Sequence, residues 1–466
     1  MSSNCPLPAR NRPIGGKRAR DSSWPSLPAG NTRRASDMQN TKRSGRSMSS
    51  KKITRLAPLE RNVGIALTAS IVLTMQTIYV KMAGAPIGIL FNACMLGLGC
   101  FLVYLKRKTH IPKSLVQKIS ISGLLFTSIP VLQILFLRKA INFSALLLIV
   151  ILFVGFFSVC CICVYHLGIK RILDNVADVM FVITCIGLVL YSTGQVLHIV
   201  KPLGRVVYSW GGTHVVSSWF FLLFNPQGSP YHAFHNGRYT SIFTEAPMCS
   251  FMLCATLITM LFISERKVSY LKIAVISVAI YCTVSTTGYI IALLAAGAYV
   301  LTNKSMNAVF RWLFIVVCVP ILGYFVIDIY QTKQAADVGS IADRNANFST
   351  GMSDFLNSPL FGQGFKSDAI GVAGFNTSVF SNVLQQGGIL FFFWYFMPIL
   401  LAVFIMLGKR QTKYLIATVL YLALIYVSVV TYTGFSILLV SIFLVYTETN
   451  TKGGTNAQRV HGSGAR

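Results

Sequence analysis

From Val63 onward the chain alternates long apolar runs with short polar joints, and the runs are about 20 residues long, the length a helix needs to cross a bilayer. Twelve such runs can be marked, near 63–82, 87–105, 119–137, 144–165, 179–200, 247–264, 270–286, 288–303, 312–330, 389–407, 414–430 and 433–448. The pairs meeting at Thr287 and at Thr431 have almost no linker, so each reads equally as two short spans or as one re-entrant hairpin. The pattern predicts an all-α polytopic membrane protein of about 12 transmembrane helices.

Two polar stretches are long, about 201–246 and 331–388. Both contain aromatic residues, Trp210, Trp219, Phe220 and Phe224 in the first, Phe348, Phe355, Phe361 and Phe365 in the second. Loops of that length are usually functional or disordered. The aromatic content predicts helices resting at a membrane interface.

Charge gives the orientation. Of the 41 Lys and Arg, 14 lie in residues 1–61, 18 in the joints on the same side as that tail, including Lys106–Lys108, Lys170, Arg266, Arg311 and Lys409, and nine on the other side. Positive loops stay in the cytoplasm. Both termini are therefore expected inside, with the two long loops outside. The domain expectation is a basic cytoplasmic tail at 1–61, a membrane domain at 62–448 and a short cytoplasmic tail at 449–466. Residues 1–61 are too polar and basic to bury a core, so they read as disordered. Alternatively they are upstream sequence that is not translated, since Met38 and Met48 both precede the first span.

Composition adds exclusions. Charged residues make up 12% and apolar residues 54%, against about 25% and 45–50% in soluble domains. Neither a GxxxxGK[ST] phosphate loop nor a strand-to-helix GxGxxG occurs, so nucleotide binding has no support, and nucleic acid is not an expected partner. Cys160, Cys161 and Cys163 fall inside an apolar run, where core packing is favoured over a metal site. His232 and His235 are bracketed by Pro230 and Gly237 and read as solvated loop residues. No acidic residue sits at mid-membrane depth, which weakens an ion-coupled transporter. No cofactor or metal is expected.

Candidate chemistry remains in the long loops. The first ends Arg238-Tyr-Thr-Ser-Ile-Phe-Thr-Glu245-Ala-Pro247. Pro247 suits a helix's first turn, which places Glu245 at the positive end of the following helix. The second carries Asp343-Arg344, then Pro359-Leu-Phe-Gly362-Gln-Gly364-Phe365, then Asn376 and Gly387-Gly388. A lone GxG would be a turn; the ordered set is more specific.

That set, together with Ser285-Thr-Thr-Gly288, resembles the bacterial O-antigen and capsular polysaccharide polymerase (Wzy-type) and O-antigen ligase superfamily. The resemblance covers most of the chain from Val63. Ligases of that superfamily carry His where this chain has Asn376, which favours polymerase. The resemblance implies a GT-C-like fold in the bacterial cytoplasmic membrane. It also implies a metal-independent glycosyltransferase joining polyprenyl-pyrophosphate-linked oligosaccharides at the outer face. A chain-length regulator, a flippase and membrane lipid would be its partners. On this reading Arg238 and Arg344 grip pyrophosphate oxygens, as guanidinium forks do, and Glu245 takes the acceptor's proton. Asp343, Asp354 and Asp368 are weaker rivals as base. Asn376, Gly362 and Gly364 would orient sugar hydroxyls, with Asp343 beside them. The alternatives are a ligase-like transferase and a non-enzymatic lipid or oligosaccharide transporter.

Overall fold

The computed structural model describes residues 58–82, 87–137, 147–226, 237–331, 340–365 and 378–451, apart from isolated positions inside these ranges. Residues 1–57 and those beyond 451 lie outside the described residues, as do Asn376, Asp368, His232 and His235, whereas the last four residues of the expected tail, 58–61, already belong to the first helix.

Helices dominate. Five are long and apolar enough to cross a membrane: Ile87–Leu105, Lys113–Phe136, Ile169–Val196, Ala246–Ile263 and Val379–Gly408. Five shorter apolar helices accompany them: Ile151–Leu167, Tyr270–Cys282, Thr286–Thr302, Thr412–Tyr426 and Gly434–Asn450. The chain is thus a helical membrane protein. Its helices turn apolar side chains outward, among them Ile89, Leu135, Val189 and Phe404, each more than half exposed. A water-facing surface would not carry so much apolar area.

Several expected spans change shape. The first helix runs only over 58–73. Beyond it Gln76 adopts a left-handed φ of 49°, and the Thr74 and Thr77 hydroxyls donate to the last helical carbonyls, Ile71 O (2.8 Å) and Leu73 O (2.5 Å). A separate turn, Ile78–Lys81, follows. The run expected at 179–200 instead starts at Ile169, so Asp174 and Asp178 lie on the helix rather than in a loop. The two close pairs are separate helices, Tyr270–Cys282 from Thr286–Thr302 and Thr412–Tyr426 from Gly434–Thr451. The first of these has 13 residues, about 20 Å of helix, less than the roughly 30 Å hydrocarbon core.

The fold is not all-α. The first long loop holds a three-stranded antiparallel sheet where interfacial helices were expected: β1 (Gly204–Ser209), β2 (Thr213–Trp219) and β3 (Leu223–Phe224), in that order. Val206, Val207, Val215 and Val216 are β-branched and pair across β1 and β2, which suits strand better than helix. The hairpin closes with Trp210 N donating to Gly212 O at 2.8 Å. Ile78, Val206, Tyr208, Val216 and Phe224 form a small core beneath the sheet. The second long loop does contain the expected helix, Ser340–Asn357.

Polar contacts collect the basic joints on one face. Lys106 pairs with Glu60 (2.6 Å), Lys118 with Glu448 (2.9 Å), Lys170 with Glu265 (2.5 Å), and Arg266 and Lys272 with Asp178 (2.5 and 2.7 Å). Lys409 donates to Asn450 O at 2.6 Å, and Thr109 meets His166 Nδ1 at 3.1 Å. Exposed pairs of this kind stabilise little. Their information is positional: the segments assigned to one side by charge meet one another.

Candidate functional site

The segment joining the sheet to helix Ala246–Ile263 is threaded through the protein. Tyr239, Thr240, Ser241, Ile242, Phe243 and Thr244 are all buried, and their backbone groups are paired off in turn. Tyr239 N donates to Cys282 O (2.9 Å), Phe224 N to Ser241 O (3.1 Å), Ile78 N to Ile242 O (2.9 Å) and Thr244 N to Gln76 O (3.1 Å). An irregular segment buried this way must satisfy its N–H and C=O groups, and these partners come from separate elements. Arg238 and Glu245 stand at its two ends.

Glu245 is the N-cap residue of helix Ala246–Ile263, in extended conformation with Pro247 in the first turn. Its backbone O accepts from Met248 N and Cys249 N, both at 3.1 Å. The side chain does not cap the helix. It turns instead to the sheet, where the indole N–H of Trp210 donates to Oε1.

A cation completes the cluster. Lys81 Nζ lies 5.5 Å from the centre of the Trp210 ring, within cation–π range. Lys81 is buried, with 9% of its surface exposed, and burial lowers its pKa to about 8. Tyr208 borders the same space. Burial, and secondarily the Glu245 charge, push its hydroxyl up to about 12, so it stays a neutral donor. His214 Nε2 lies 2.8 Å from Trp210 O, and its ring packs 5.4 Å from that of Tyr208. The cluster thus brings a carboxylate, an ammonium and aromatic faces together at the edge opposite the basic joints. Lys81 and Trp210 were not among the expected site residues. Only the hairpin register carries Trp210 to Glu245, and no local motif marks it.

Arg238 does different work. Its Nε donates to Thr283 O (2.9 Å) and its Nη2 to Val284 O (3.0 Å). These carbonyls end helix Tyr270–Cys282, where Val284 takes a left-handed φ of 49°. The guanidinium therefore braces a helix's negative end, and it forms no ion pair with Glu245. The Ser285–Gly288 motif follows directly: Ser285 Oγ accepts from Gly288 N at 3.4 Å. A Cβ on Gly288 would stand 2.0 Å from Ser250 Oγ, so glycine is what lets the two helices touch.

The two glycines of the second loop also pack backbone to backbone. Gln363 N donates to Gln385 O (2.7 Å), Gly364 N to Gln386 O (3.1 Å) and Ile389 N to Pro359 O (2.8 Å). Gly388 breaks helix Val379–Gly408 with φ 64° and ψ −169°. A Cβ there would lie 2.4 Å from Leu360 O, and one on Gly362 would lie 2.5 Å from the Gln386 carbonyl carbon. Gln133 Nε2 ties both segments, donating to Phe361 O and to Gln386 O (2.7 Å). Phe365 is driven between helices, its ring 5.0 Å from Phe391. Asp354 joins the lock, its Oδ2 accepting from Gln385 Nε2 at 2.6 Å. Asp343 and Arg344 fall in the first turn of helix Ser340–Asn357. Cys160, Cys161 and Cys163 are buried in the main core.

No protein-family model matches the chain, and no curated protein matches it.

Proposed function

We propose that the protein is a polysaccharide polymerase that joins lipid-pyrophosphate-linked oligosaccharide units at the outer face of the cytoplasmic membrane, within a GT-C-like bundle of about 12 spans with both termini inside. The observation that carries this reading is the Glu245–Trp210–Lys81 cluster, set at the edge away from the basic joints. Transfer of a sugar from a polyprenyl pyrophosphate needs three things there. A base must accept the proton of the acceptor hydroxyl. A cation must stabilise the pyrophosphate that leaves as the C1–O bond breaks. Apolar and aromatic surfaces must hold sugar rings and exclude water. Glu245, Lys81 and the rings of Trp210 and Tyr208 answer to these in turn. The new glycosidic bond forms from the acceptor oxygen to C1, the proton goes to Glu245, and polyprenyl pyrophosphate departs with the electron pair. Arg344, Asp343 and Asn376 are assigned to the donor and acceptor substrates by the family resemblance alone. Arg238 serves it indirectly, by fixing the strand that ends in Glu245.

The test is the fate of glycan in cells whose only copy carries Glu245→Gln at normal protein level. A polymerase defect leaves single repeat units on the lipid carrier at the outer face. Long polymer stranded on the carrier would instead indicate a ligase, and units trapped at the inner face a transporter.

A further inference from the structure

We propose that the basic face carries a binding site for one anionic phospholipid, whose acyl chain enters a cavity between helices Ile169–Val196, Thr412–Tyr426 and Gly434–Thr451. The cavity has a volume of about 260 Å³. It reaches from Gln411 to Tyr421 along one helix and from Asn450 to Leu439 along another, about 15 Å in each case. An elongated cleft lined along two helix faces suits an extended hydrocarbon chain.

Chemistry changes along this depth. At the mouth stand Lys170, Gln411, Tyr414 and Asn450. Deeper in, the walls are Leu439 and Phe443, with hydroxyls already committed. Thr418 Oγ1 donates to Tyr414 O (2.8 Å), Tyr421 Oη to Ala255 O (3.1 Å), and Tyr421 Oη meets Thr259 Oγ1 at 2.6 Å. A polar ligand would lose its hydration there without replacement, whereas an acyl chain loses nothing.

The charge around the mouth selects the headgroup. Lys170 lines it, and Arg171, Lys409, Arg410 and Lys413 are exposed in the segments that frame it. Opposing them are Glu265, which pairs with Lys170, and Glu448, which is buried and paired with Lys118 at 2.9 Å. The excess is positive, and basic pockets between helices at the cytoplasmic leaflet suit anionic headgroups. The site lies on the face opposite the Glu245 cluster and depends on none of the glycan chemistry.

The full-length chain, purified in detergent, would be offered equal amounts of phosphatidylglycerol and phosphatidylcholine with identical acyl chains, and retained lipid counted by native mass spectrometry. The expected result is one tightly held phosphatidylglycerol, preferred about tenfold. Leu439→Trp, which fills the cavity, should abolish retention. The exposed pair Lys170→Gln with Lys413→Gln should keep one lipid but lose the preference, and it decides the matter if Leu439→Trp does not fold. Equal retention of both lipids by the unaltered chain would overturn the proposal. So would undiminished phosphatidylglycerol in a folded Leu439→Trp, or an unchanged preference in the double variant.

Discussion

The indole N–H of Trp210, at the tip of the β1–β2 hairpin, donates to the carboxylate of Glu245, 35 residues further along the chain. The bond fixes where the carboxylate points, against the indole whose ring also faces Lys81. Trp210→Phe keeps a ring for Lys81 and removes only the donor. Hydrogen bonds to charged groups contribute about 1.5–3 kcal/mol, so glycan synthesis should fall by about 10- to 100-fold with normal protein level. Synthesis at the original rate would mean that the bond is not used.

Lys81 predicts a pH dependence. Its ammonium loses its proton near pH 8 when folded, against an ordinary value of 10.5. If it grips an anionic donor, turnover should decline as pH rises through about 8, and Lys81→Arg, whose charge persists, should push that decline upward. The stability sign is opposite. Between about pH 8 and 10.5 the unfolded chain binds the extra proton, so stability gains from raising pH through that window. A turnover profile with no limb near pH 8 would remove Lys81 from the site.

Arg238 separates a brace from a phosphate ligand. Lys at this position lacks the planar fork that donates from Nε and Nη2 to Thr283 O and Val284 O, and a weakened hydrogen bond costs about 0.5–1.5 kcal/mol. Arg238→Lys should therefore lower the melting temperature of the purified protein and reduce activity in proportion to the folded fraction. Lost activity with an unchanged melting temperature would return Arg238 to direct substrate contact.

Much of this architecture was legible in the residue pattern. The basic joints, the place of Glu245 at a helix start and the helix in the second loop follow from charge runs, Pro247 and apolar spacing. What the pattern hid was nonlocal. Trp210 and Glu245 meet only because Val206, Val207, Val215 and Val216 pair in a hairpin, and aromatic-rich loops look alike whether they form interfacial helix or sheet. The early stop at Thr74 comes with a left-handed Gln76, a conformation that no residue type in this apolar run announces. Gly362 and Gly364 looked like a substrate loop because the segment they grip, Gly387–Gly388, reads as part of the same loop, whereas it belongs to helix Val379–Gly408 and kinks it.

That lock gives a graded prediction. Gly388→Ala and Gly362→Ala combine positive φ with a Cβ closer than 2.6 Å to backbone, whereas Gly364, at φ 93°, has open space around it. Backbone strain alone costs about 1–3 kcal/mol, and the clash adds to it. The first two variants should show much reduced folded yield in detergent, and Gly364→Ala a milder loss. Equal yields for all three would mean that the loop can part from the kink.

The most direct test of the glycosyl-transfer reading is reconstitution of the purified chain in liposomes with a polyprenyl-pyrophosphate-linked oligosaccharide as sole substrate. The unaltered protein should lengthen the glycan, releasing one polyprenyl pyrophosphate per bond formed, and Glu245→Gln, equally folded, should be slower by about 10²–10⁴-fold. No lengthening by the unaltered protein, or lengthening by Glu245→Gln at the original rate, would contradict it.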